Sequence, residues 1–180
     1  MPQAGIHGLV GLAVRKWVPD RKWLFLGIVL GNFLPDADNF VVAVATVTGG
    51  VTEGLHRTFT HSLVTITVII LLSTLLGKLL NKKDWGNLGV GLGIGMLMHV
   101  GLDLVMWFNG VDLLWPLAFN LNLWEGVTPA LWWSKLMQPA ELLAFAVFLM
   151  MLRNAAQKQG TNPDLMKPLN TCITVISVLF

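Results

Sequence analysis

Apolar residues occur along the chain in runs, and the two longest have the length of a membrane-spanning helix. One run covers residues 62–80, and the other covers residues 86–108. Since about 20 apolar residues cross the hydrocarbon core of a bilayer, both are predicted to span it. Shorter apolar stretches occupy residues 6–14, 23–34, 40–51, 111–123 and 139–152. None alternates like a half-buried strand, so the pattern predicts an all-α, polytopic membrane helical bundle with some short, half-spanning or re-entrant helices.

Proline, glycine and polar residues predict where the first elements end. A short helix is expected over residues 6–17, followed by a turn at Val18-Pro19-Asp20. The next helix should end at Leu34-Pro35, because proline disfavours helix in the residue before it. Residues 36–57 are predicted to form a long connection, interrupted at Gly49-Gly50. The first two helices are therefore expected to form a hairpin whose arms fall short of a full crossing.

The C-terminal part carries weaker signals. A helix is expected near residues 141–153, followed by a polar linker at residues 157–168 and an apolar segment at residues 171–180. The length of 180 residues suggests one domain. We therefore predict a membrane-embedded domain at residues 1–155, with residues 156–180 as a polar linker and apolar C-terminal segment.

Composition supports a membrane protein and excludes several other classes. The chain is 54% hydrophobic, with a mean hydropathy of +0.67. A soluble all-α protein is the alternative, but no predicted helix has a broad polar face. The net charge is only +2 and the basic residues are scattered, so no nucleic-acid partner is expected. The single Cys172 excludes an internal disulfide and a cysteine zinc site.

The basic residues predict how the chain is oriented in the membrane. They cluster at three predicted turns or helix ends: Arg15, Lys16, Arg21 and Lys22; Lys78, Lys82 and Lys83; and Arg153 and Lys158. If the helices cross alternately, all three clusters lie on one face, which the positive-inside tendency makes cytoplasmic. The same tracing carries the histidines and several aspartates toward the non-cytoplasmic face. The eight tryptophans, several near helix ends, suit an interfacial belt or ordinary core packing.

Imidazoles and carboxylates are concentrated in short motifs, although charged residues are only 12% of the chain. His99 and Asp103 are four residues apart on a predicted helix, so both side chains share one helix face. Such a pair can bind metal or can be a hydrogen-bonded pair inside the membrane. An isolated buried charge is very costly, so these groups must be paired, hydrated or bound to metal.

Asp36 and Asp38 follow Pro35 closely. On an extended backbone both carboxylates would point the same way, and a divalent cation would relieve their repulsion. The alternative is a turn or a helix N-cap, where Asp is common.

His56 and His61 are five residues apart, and their directions would diverge on a continuous helix. We therefore expect one on a loop and the other at the start of the long helix, near a cap formed by Thr60 or Ser62. Arg57 between them is a candidate for binding a phosphate or carboxylate oxygen. Its alternative role is an ion pair with Asp36, Asp38 or Glu53.

His7 is weak evidence alone but lies on the same predicted face. The predicted metal ligands are His7, Asp36, Asp38, His56, His61, His99 and Asp103. Because one zinc site needs only three or four protein ligands, seven donors suit two or more ions. Nitrogen and oxygen ligands without sulfur favour Zn²⁺, with Mn²⁺ or Fe²⁺ as alternatives.

Motifs around these residues resemble one family. They are Gly31-Asn32-Phe33-Leu34-Pro35-Asp36-Ala37-Asp38, His56-Arg57-Thr58-Phe59-Thr60-His61-Ser62, His99-Val100-Gly101-Leu102-Asp103 and Leu114-Trp115-Pro116. In this order they resemble the predicted membrane-bound metal-dependent hydrolases, also called LexA-binding, inner-membrane-associated hydrolases. The resemblance covers roughly residues 5–120 and extends distantly to zinc-dependent phospholipase C. It implies an α-helical fold, a multi-metal site built from the same seven residues, and phosphoester cleavage.

The leading hypothesis is therefore a metal-dependent hydrolase of the inner membrane that cleaves phosphoester bonds in a lipid or lipid-linked substrate with a metal-activated water. Arg57 and Asp38 are the residues expected to serve catalysis most directly. One alternative is a non-catalytic membrane protein whose structural or regulatory metal site supports binding of a protein partner. Metal or proton transport is another alternative, but it would need polar groups leading to the other face, and these are few.

Overall fold

The computed structural model describes residues 4–158 and residue 174, and within them the protein is mostly helical. Its α-helices are α1 (Ala4–Ala13), α2 (Leu24–Gly31), α3 (Asp38–Thr48), α4 (Leu63–Leu79), α5 (Lys83–Met106) and α6 (Leu131–Lys158). Two-residue strands β1 (Val111–Asp112) and β2 (Asn120–Leu121) pair antiparallel. The predicted all-α membrane bundle is confirmed, with this small sheet as an addition.

Helix α5 packs against α2 through glycines. A Cβ atom on Gly91 or Gly95 would overlap backbone carbonyls of α2, and one on Gly27 or Gly31 would overlap those of α5. Each helix thus carries small residues four apart, the spacing that lets two helices approach closely in a membrane. This contact holds the end of α2 against the middle of α5.

A different glycine face of α5 receives α4. Side chains at Gly89 and Gly93 would collide with Ser73 and Ile70 of α4. Beyond these contacts, α4, α5 and β1 share a buried cluster formed by Ile66, Met96, Val100 and Val111. Helix α5 is consequently enclosed from two sides, which explains why its polar residues near the C-terminal end are buried.

Helix α1 lies beside α6 and runs in the same direction. Gly5 lies against Glu141 and Gly8 against Phe148, so both helices advance together. Phe148 and Leu149 form a second buried cluster onto which α1 packs.

The helices differ in their capacity to cross a membrane. Within the described residues, two helices are long and apolar enough to cross a membrane, by length and composition alone: Lys83–Met106 and Leu131–Asn154. A third span results if Leu24–Gly31 and Pro35–Thr48, which are bent by 48° relative to each other, are counted as one. The predicted spanning run at residues 62–80 is a helix of 17 residues, shorter than these two spans. The helix predicted near residues 141–153 is longer at both ends and continues through Pro139.

Two other expectations are corrected. Residues 36–57, predicted as a connection, contain the 11-residue helix α3, which ends where Gly49 adopts a left-handed conformation with φ of 70°. Residues 157 and 158 belong to α6 and not to a linker, and the remainder of the predicted linker and apolar segment lies outside the described residues, apart from residue 174.

The two ends of the bundle carry different kinds of polar and charged residues. Lys22 on the α1–α2 turn forms an ion pair of 2.8 Å with Asp84 at the start of α5, so two basic clusters meet at one end. Asp103 lies 19 residues further along α5, about 28 Å away for an α-helix. The imidazoles and most aspartates of the predicted site therefore gather at the end opposite the lysines.

Candidate metal centre

The structure brings all seven predicted ligands into three overlapping groups, within each of which one ligand atom per residue lies within 4.8 Å of the others. The groups are His7, His99 and Asp103; Asp36, His61 and His99; and Asp38, His56 and His61. They come from four separate parts of the chain: the start of α1, the α2–α3 junction, the segment before α4, and the last turns of α5. Binding of a metal by these residues stays a prediction.

His7, His99 and Asp103 form the deepest group, and none is more than 1% exposed. His7 stacks on the His99 ring, with 3.9 Å between the ring centroids. Its Nε2 lies 3.4 Å from Oδ1 of Asp103. As expected for residues four apart, His99 and Asp103 share one face of α5, with 4.0 Å between Nε2 and Oδ2.

The second group joins α5 to the chain segments before α3 and α4. Nε2 of His99 is 3.7 Å from Oδ1 of Asp36, and Nε2 of His61 is 3.6 Å from Oδ2 of Asp103. Both nitrogens are buried without a hydrogen-bond partner among the described residues. Since buried polar atoms are normally paired, these two nitrogens need an additional partner.

The third group is organised by Asp38. Nδ1 of His56 donates to one oxygen of Asp38 at 2.8 Å. Its other oxygen accepts from the hydroxyl of Thr60 at 2.8 Å and from the backbone N–H of Arg57 at 3.2 Å. Nδ1 of His61 lies 3.1 Å from the Thr60 oxygen, which can accept the imidazole proton because its own proton points to Asp38.

These contacts fit the residues to a divalent metal. Ligand atoms about 2.1 Å from a tetrahedral zinc lie about 3.4 Å from one another. The distances of 3.4, 3.6 and 3.7 Å between imidazole nitrogens and carboxylate oxygens are close to that spacing and too long for good hydrogen bonds. The side chains are thus arranged like ligands around an ion.

Hydrogen bonds on the other ring nitrogens orient the imidazoles. Nδ1 of His99 donates to the backbone carbonyl of Asn32 at 2.8 Å, and His56 and His61 use Nδ1 toward Asp38 and Thr60. In these tautomers Nε2 carries the lone pair that a metal requires. Such outer contacts fix the ring and strengthen it as a ligand.

The His61 imidazole is already surrounded by negative charge. Burial acts to lower its pKa, but the contacts with the carboxylates of Asp103 and Asp38 outweigh burial and raise the pKa above its ordinary value. The surroundings of His61 therefore favour a positive charge, which either a proton or a metal cation can supply.

Arg57 has a different partner from those named from sequence. Its Nε lies 3.2 Å from Oδ2 of Asp103, and Nη1 donates to the carbonyl of Asn109 at 3.4 Å. Of the partners named from sequence, Asp38 is contacted by the backbone N–H of Arg57. The residue has a positive φ of 63°, which directs the backbone to Asp38 and the side chain to Asp103.

The predicted extended backbone at Asp36 and Asp38 is wrong. Pro35–Ala37 form a 3-10 turn, which confirms the alternative of a turn, whereas Asp38 is the first residue of α3 and the N-cap position belongs to Ala37. In helical backbone, residues two apart point in divergent directions. Asp36 accordingly faces His99 while Asp38 faces His56 and His61.

Local structure before α4 agrees with the sequence analysis. His56 lies in the loop, and His61 ends a 3-10 turn at Phe59–His61 just before the helix. The Ser62 hydroxyl caps α4 by accepting from the backbone N–H of Val64.

Two neighbours of the centre were not predicted from sequence. Glu141 in α6 is 2% exposed and accepts from the backbone N–H groups of Gly5 and Ile6, at the start of the helix that carries His7. Sequence could have indicated Glu141, because it is a carboxylate inside an apolar helix. Asn32 acts through its backbone carbonyl, which no sequence pattern reveals.

Fold and site together define a class: an integral membrane protein of α-helices with a buried imidazole and carboxylate cluster able to hold divalent metal. Comparison with known proteins narrows this class. Residues 3–161 match the family described as YdjM inner membrane protein, and the chain belongs to that family. It is 36% identical over 126 residues to inner membrane protein YbcI of Escherichia coli strain K12, covering 64% of this chain and 68% of YbcI. No solved structure matches the chain.

Proposed function

We propose that this protein is a membrane-bound, metal-dependent hydrolase of phosphoester bonds in a lipid or lipid-linked substrate. The observation that supports it most is the pair of buried Nε2 atoms on His61 and His99. Neither has a hydrogen-bond partner among the described residues, and each faces a carboxylate oxygen at 3.6 or 3.7 Å. Groups placed in this way need a positive charge, which a proton or a metal cation supplies, and the donor set suits Zn²⁺, Mn²⁺ or Fe²⁺.

The hydrogen bonds favour two ions over three. Nδ1 of His99 is committed to Asn32, so only Nε2 remains for metal, and one lone pair binds one ion. The two groups that share His99 therefore compete and describe a single position, held by His99 with His7, Asp103 or Asp36. The same holds for His61, whose Nε2 faces Asp103, so His61 serves either that position or a second one with Asp38 and His56.

The chain's own residues supply the remaining requirements of phosphoester hydrolysis. Bound divalent metal lowers the pKa of water toward neutrality and neutralises charge on phosphate oxygens. Asp38 holds His56 and His61 in position, and Arg57 holds Asp103 while adding a buried positive charge beside the centre. Shared between two ions, seven donors are fewer than the eight of two closed tetrahedral zinc sites, which favours a centre with a position open to substrate.

Access to the centre also suits an amphiphilic substrate. A cavity of about 390 Å³ is lined by Asp38 and Thr60 together with apolar groups including Val41, Phe59 and Trp115. A phosphate would meet the polar groups while a lipid chain contacts the apolar ones. Because the centre lies at the end opposite the lysines, the positive-inside tendency puts it toward the non-cytoplasmic face of the inner membrane.

The test combines metal analysis with turnover on one preparation. Purified protein should bind close to two equivalents of zinc or manganese and hydrolyse a chromogenic phosphodiester or a short-chain lipid phosphoester. His61→Ala should lower both, because it removes the residue shared by two ligand groups. Glu125→Gln changes an exposed acidic residue and serves as the control.

The outcomes separate catalysis from a structural metal. Metal that binds tightly without turnover on any phosphoester would favour the non-catalytic alternative. Full turnover by His61→Ala together with Asp38→Ala would exclude hydrolysis at this centre.

A further inference from the structure

Two neighbouring cavities lie at the end of the bundle that carries the lysines. The larger one, of about 350 Å³, is lined by residues of the α1–α2 turn, α4 and α5, and Arg21 and Lys83 supply its positive charges. The smaller one, of about 190 Å³, is lined by the end of α4 and the start of α5, with Lys78 and the same Lys83. Because Lys83 lines both cavities, all three cations surround adjoining spaces.

The cations that line these cavities are those that no other group holds. Seven basic residues gather at this end, and two of them form ion pairs with Asp20 and Asp84, the acids found there. Lys16 and Lys82 lie over tryptophan rings, 4.3 and 5.9 Å from the ring centroids. Within the described residues, no carboxylate lies within 4 Å of the remaining three and no aromatic ring lies beneath them. These three are Arg21, Lys78 and Lys83.

An apolar strip of α5 continues from the larger cavity into the membrane. Val90 and Ile94 line the cavity and are 40% and 39% exposed, and their spacing from Lys83 puts all three on one face of α5. The two glycine faces of α5, which receive α2 and α4, leave this strip uncovered between them. Lys83 and Ile94 are 11 residues apart, about 16 Å along an α-helix and close to half of the roughly 30 Å hydrocarbon core. The strip therefore has the length of one leaflet.

Charge and shape together select an anionic phospholipid. Basic pockets between membrane helices bind the head groups of such lipids. A phosphate can meet Arg21 and Lys83 while an acyl chain lies along the strip. A zwitterionic lipid would place its ammonium among the same cations, where the two acids are already held in ion pairs. A soluble phosphate would leave the apolar strip uncovered.

We propose that the larger cavity and the apolar strip form a binding site for one anionic phospholipid, whose phosphate pairs with Arg21 and Lys83 and whose acyl chain lies on α5 between α2 and α4. Lys78 adds a third positive charge beside the phosphate. The site is at the end opposite the metal centre. It goes beyond the proposed function and does not depend on it.

Native mass spectrometry of the delipidated protein in detergent measures lipid binding directly. The probes are dioleoyl phosphatidylglycerol and dioleoyl phosphatidylcholine, which have the same chains and differ in the charge of the head group. We expect wild type to bind phosphatidylglycerol at least about tenfold more tightly, since each of two cations contributes about fivefold at an anionic head group. Glycerol phosphate, which has the phosphate without the chains, should not displace the bound lipid.

Two double variants of equal charge assign the binding to the cavity. Arg21→Gln with Lys83→Gln removes the cations that line it, and should weaken phosphatidylglycerol binding about 20-fold. Lys16→Gln with Lys82→Gln removes the same charge from the same end but not from the lining, and should leave binding nearly unchanged. All four residues are exposed, so both variants are expected to fold.

A second pair of variants tests the apolar strip. Ile94→Trp should weaken phosphatidylglycerol binding by occupying the path of the chain. Leu72→Trp, at an exposed position of α4 outside the cavity lining, should not.

Three results would overturn the proposal. Equal losses in the two double variants would show general attraction to positive charge without a site. Equal affinity for the two lipids would remove the role of the cations. Displacement by glycerol phosphate would make the ligand a soluble phosphate and not a membrane lipid.

Discussion

Asp103 and Asp84 provide a matched test of the centre, because both are aspartates on α5, at opposite ends. Asp103 is fully buried and lies 3.2 Å from Nε of Arg57, whose side chain is 7% exposed. Asp84 pairs with Lys22 at 2.8 Å, but those side chains are 37% and 69% exposed. We expect Asp103→Asn to destabilise the protein and to remove metal, whereas Asp84→Asn should do neither.

The size of the effect follows from burial. At 3.2 Å and an effective dielectric constant of about 20, the attraction between Arg57 and Asp103 is about 5 kcal/mol. Removing one partner of a buried pair costs about 3–5 kcal/mol, whereas an exposed pair such as Lys22 with Asp84 contributes about 0–1 kcal/mol. For a domain of this length, the larger loss corresponds to a fall of about 6–20 °C in unfolding temperature.

Two measurements separate stability from metal binding. Thermal unfolding by circular dichroism in detergent with EDTA reports the contacts of Asp103 with Arg57 and the imidazoles in the absence of metal, and elemental analysis without EDTA reports metal content. The double variant Asp103→Asn with Arg57→Met should recover part of the stability, because no unpaired cation remains, but should not recover metal. An Asp103→Asn protein with the metal content and unfolding temperature of wild type would refute this account of the centre.

Three further predictions test the fold, the outer contacts and the orientation. Gly95→Leu should leave no monodisperse peak in size-exclusion chromatography in detergent, because the leucine side chain would meet the backbone of α2. Gly101→Leu, with open space around it, should behave like wild type. Thr60→Val should weaken zinc binding about 10–100-fold, measured by competition with a chelator, because His61 loses the partner of its Nδ1. The control Thr67→Val, which replaces an exposed threonine on α4, should leave zinc binding unchanged. The orientation can be tested in a chain whose own cysteine is removed by Cys172→Ser. A thiol reagent that does not cross the membrane should then label Asn120→Cys from outside the cell and leave Lys82→Cys unlabelled. The opposite labelling pattern would reverse the proposed orientation.

The site residues could be identified from sequence because the chain has few charged residues. In a chain with so few charged residues, each buried imidazole or carboxylate must find a partner, and the available partners are one another. His99 with Asp103 followed directly from helical spacing. Grouping the distant motifs required one further step, the tracing of helix directions, and the structure does bring them into overlapping groups.

Local sequence was less informative where backbone conformation decides direction. Residues 36–57 were predicted to form a connection, yet residues 38–48 within them form α3. Because Asp38 begins this helix, Asp36 and Asp38 diverge instead of pointing together. The helix expected near residues 141–153 begins earlier, at Leu131, and contains Pro139, because proline is tolerated inside membrane helices where neighbouring groups satisfy the freed backbone.

Long-range packing explains what sequence could not show, and it links the fold to the chemistry. Gly95 lies one turn before His99 and directly against the backbone of Ile28 and Asn32 in and just after α2. That close approach, possible only without a side chain, brings the carbonyl of Asn32 to 2.8 Å from Nδ1 of His99. The glycine contact between α2 and α5 thus sets the orientation of a predicted metal ligand. Its loss should impair metal binding even in variants mild enough to fold, because the packing and the ligand geometry depend on the same few atoms.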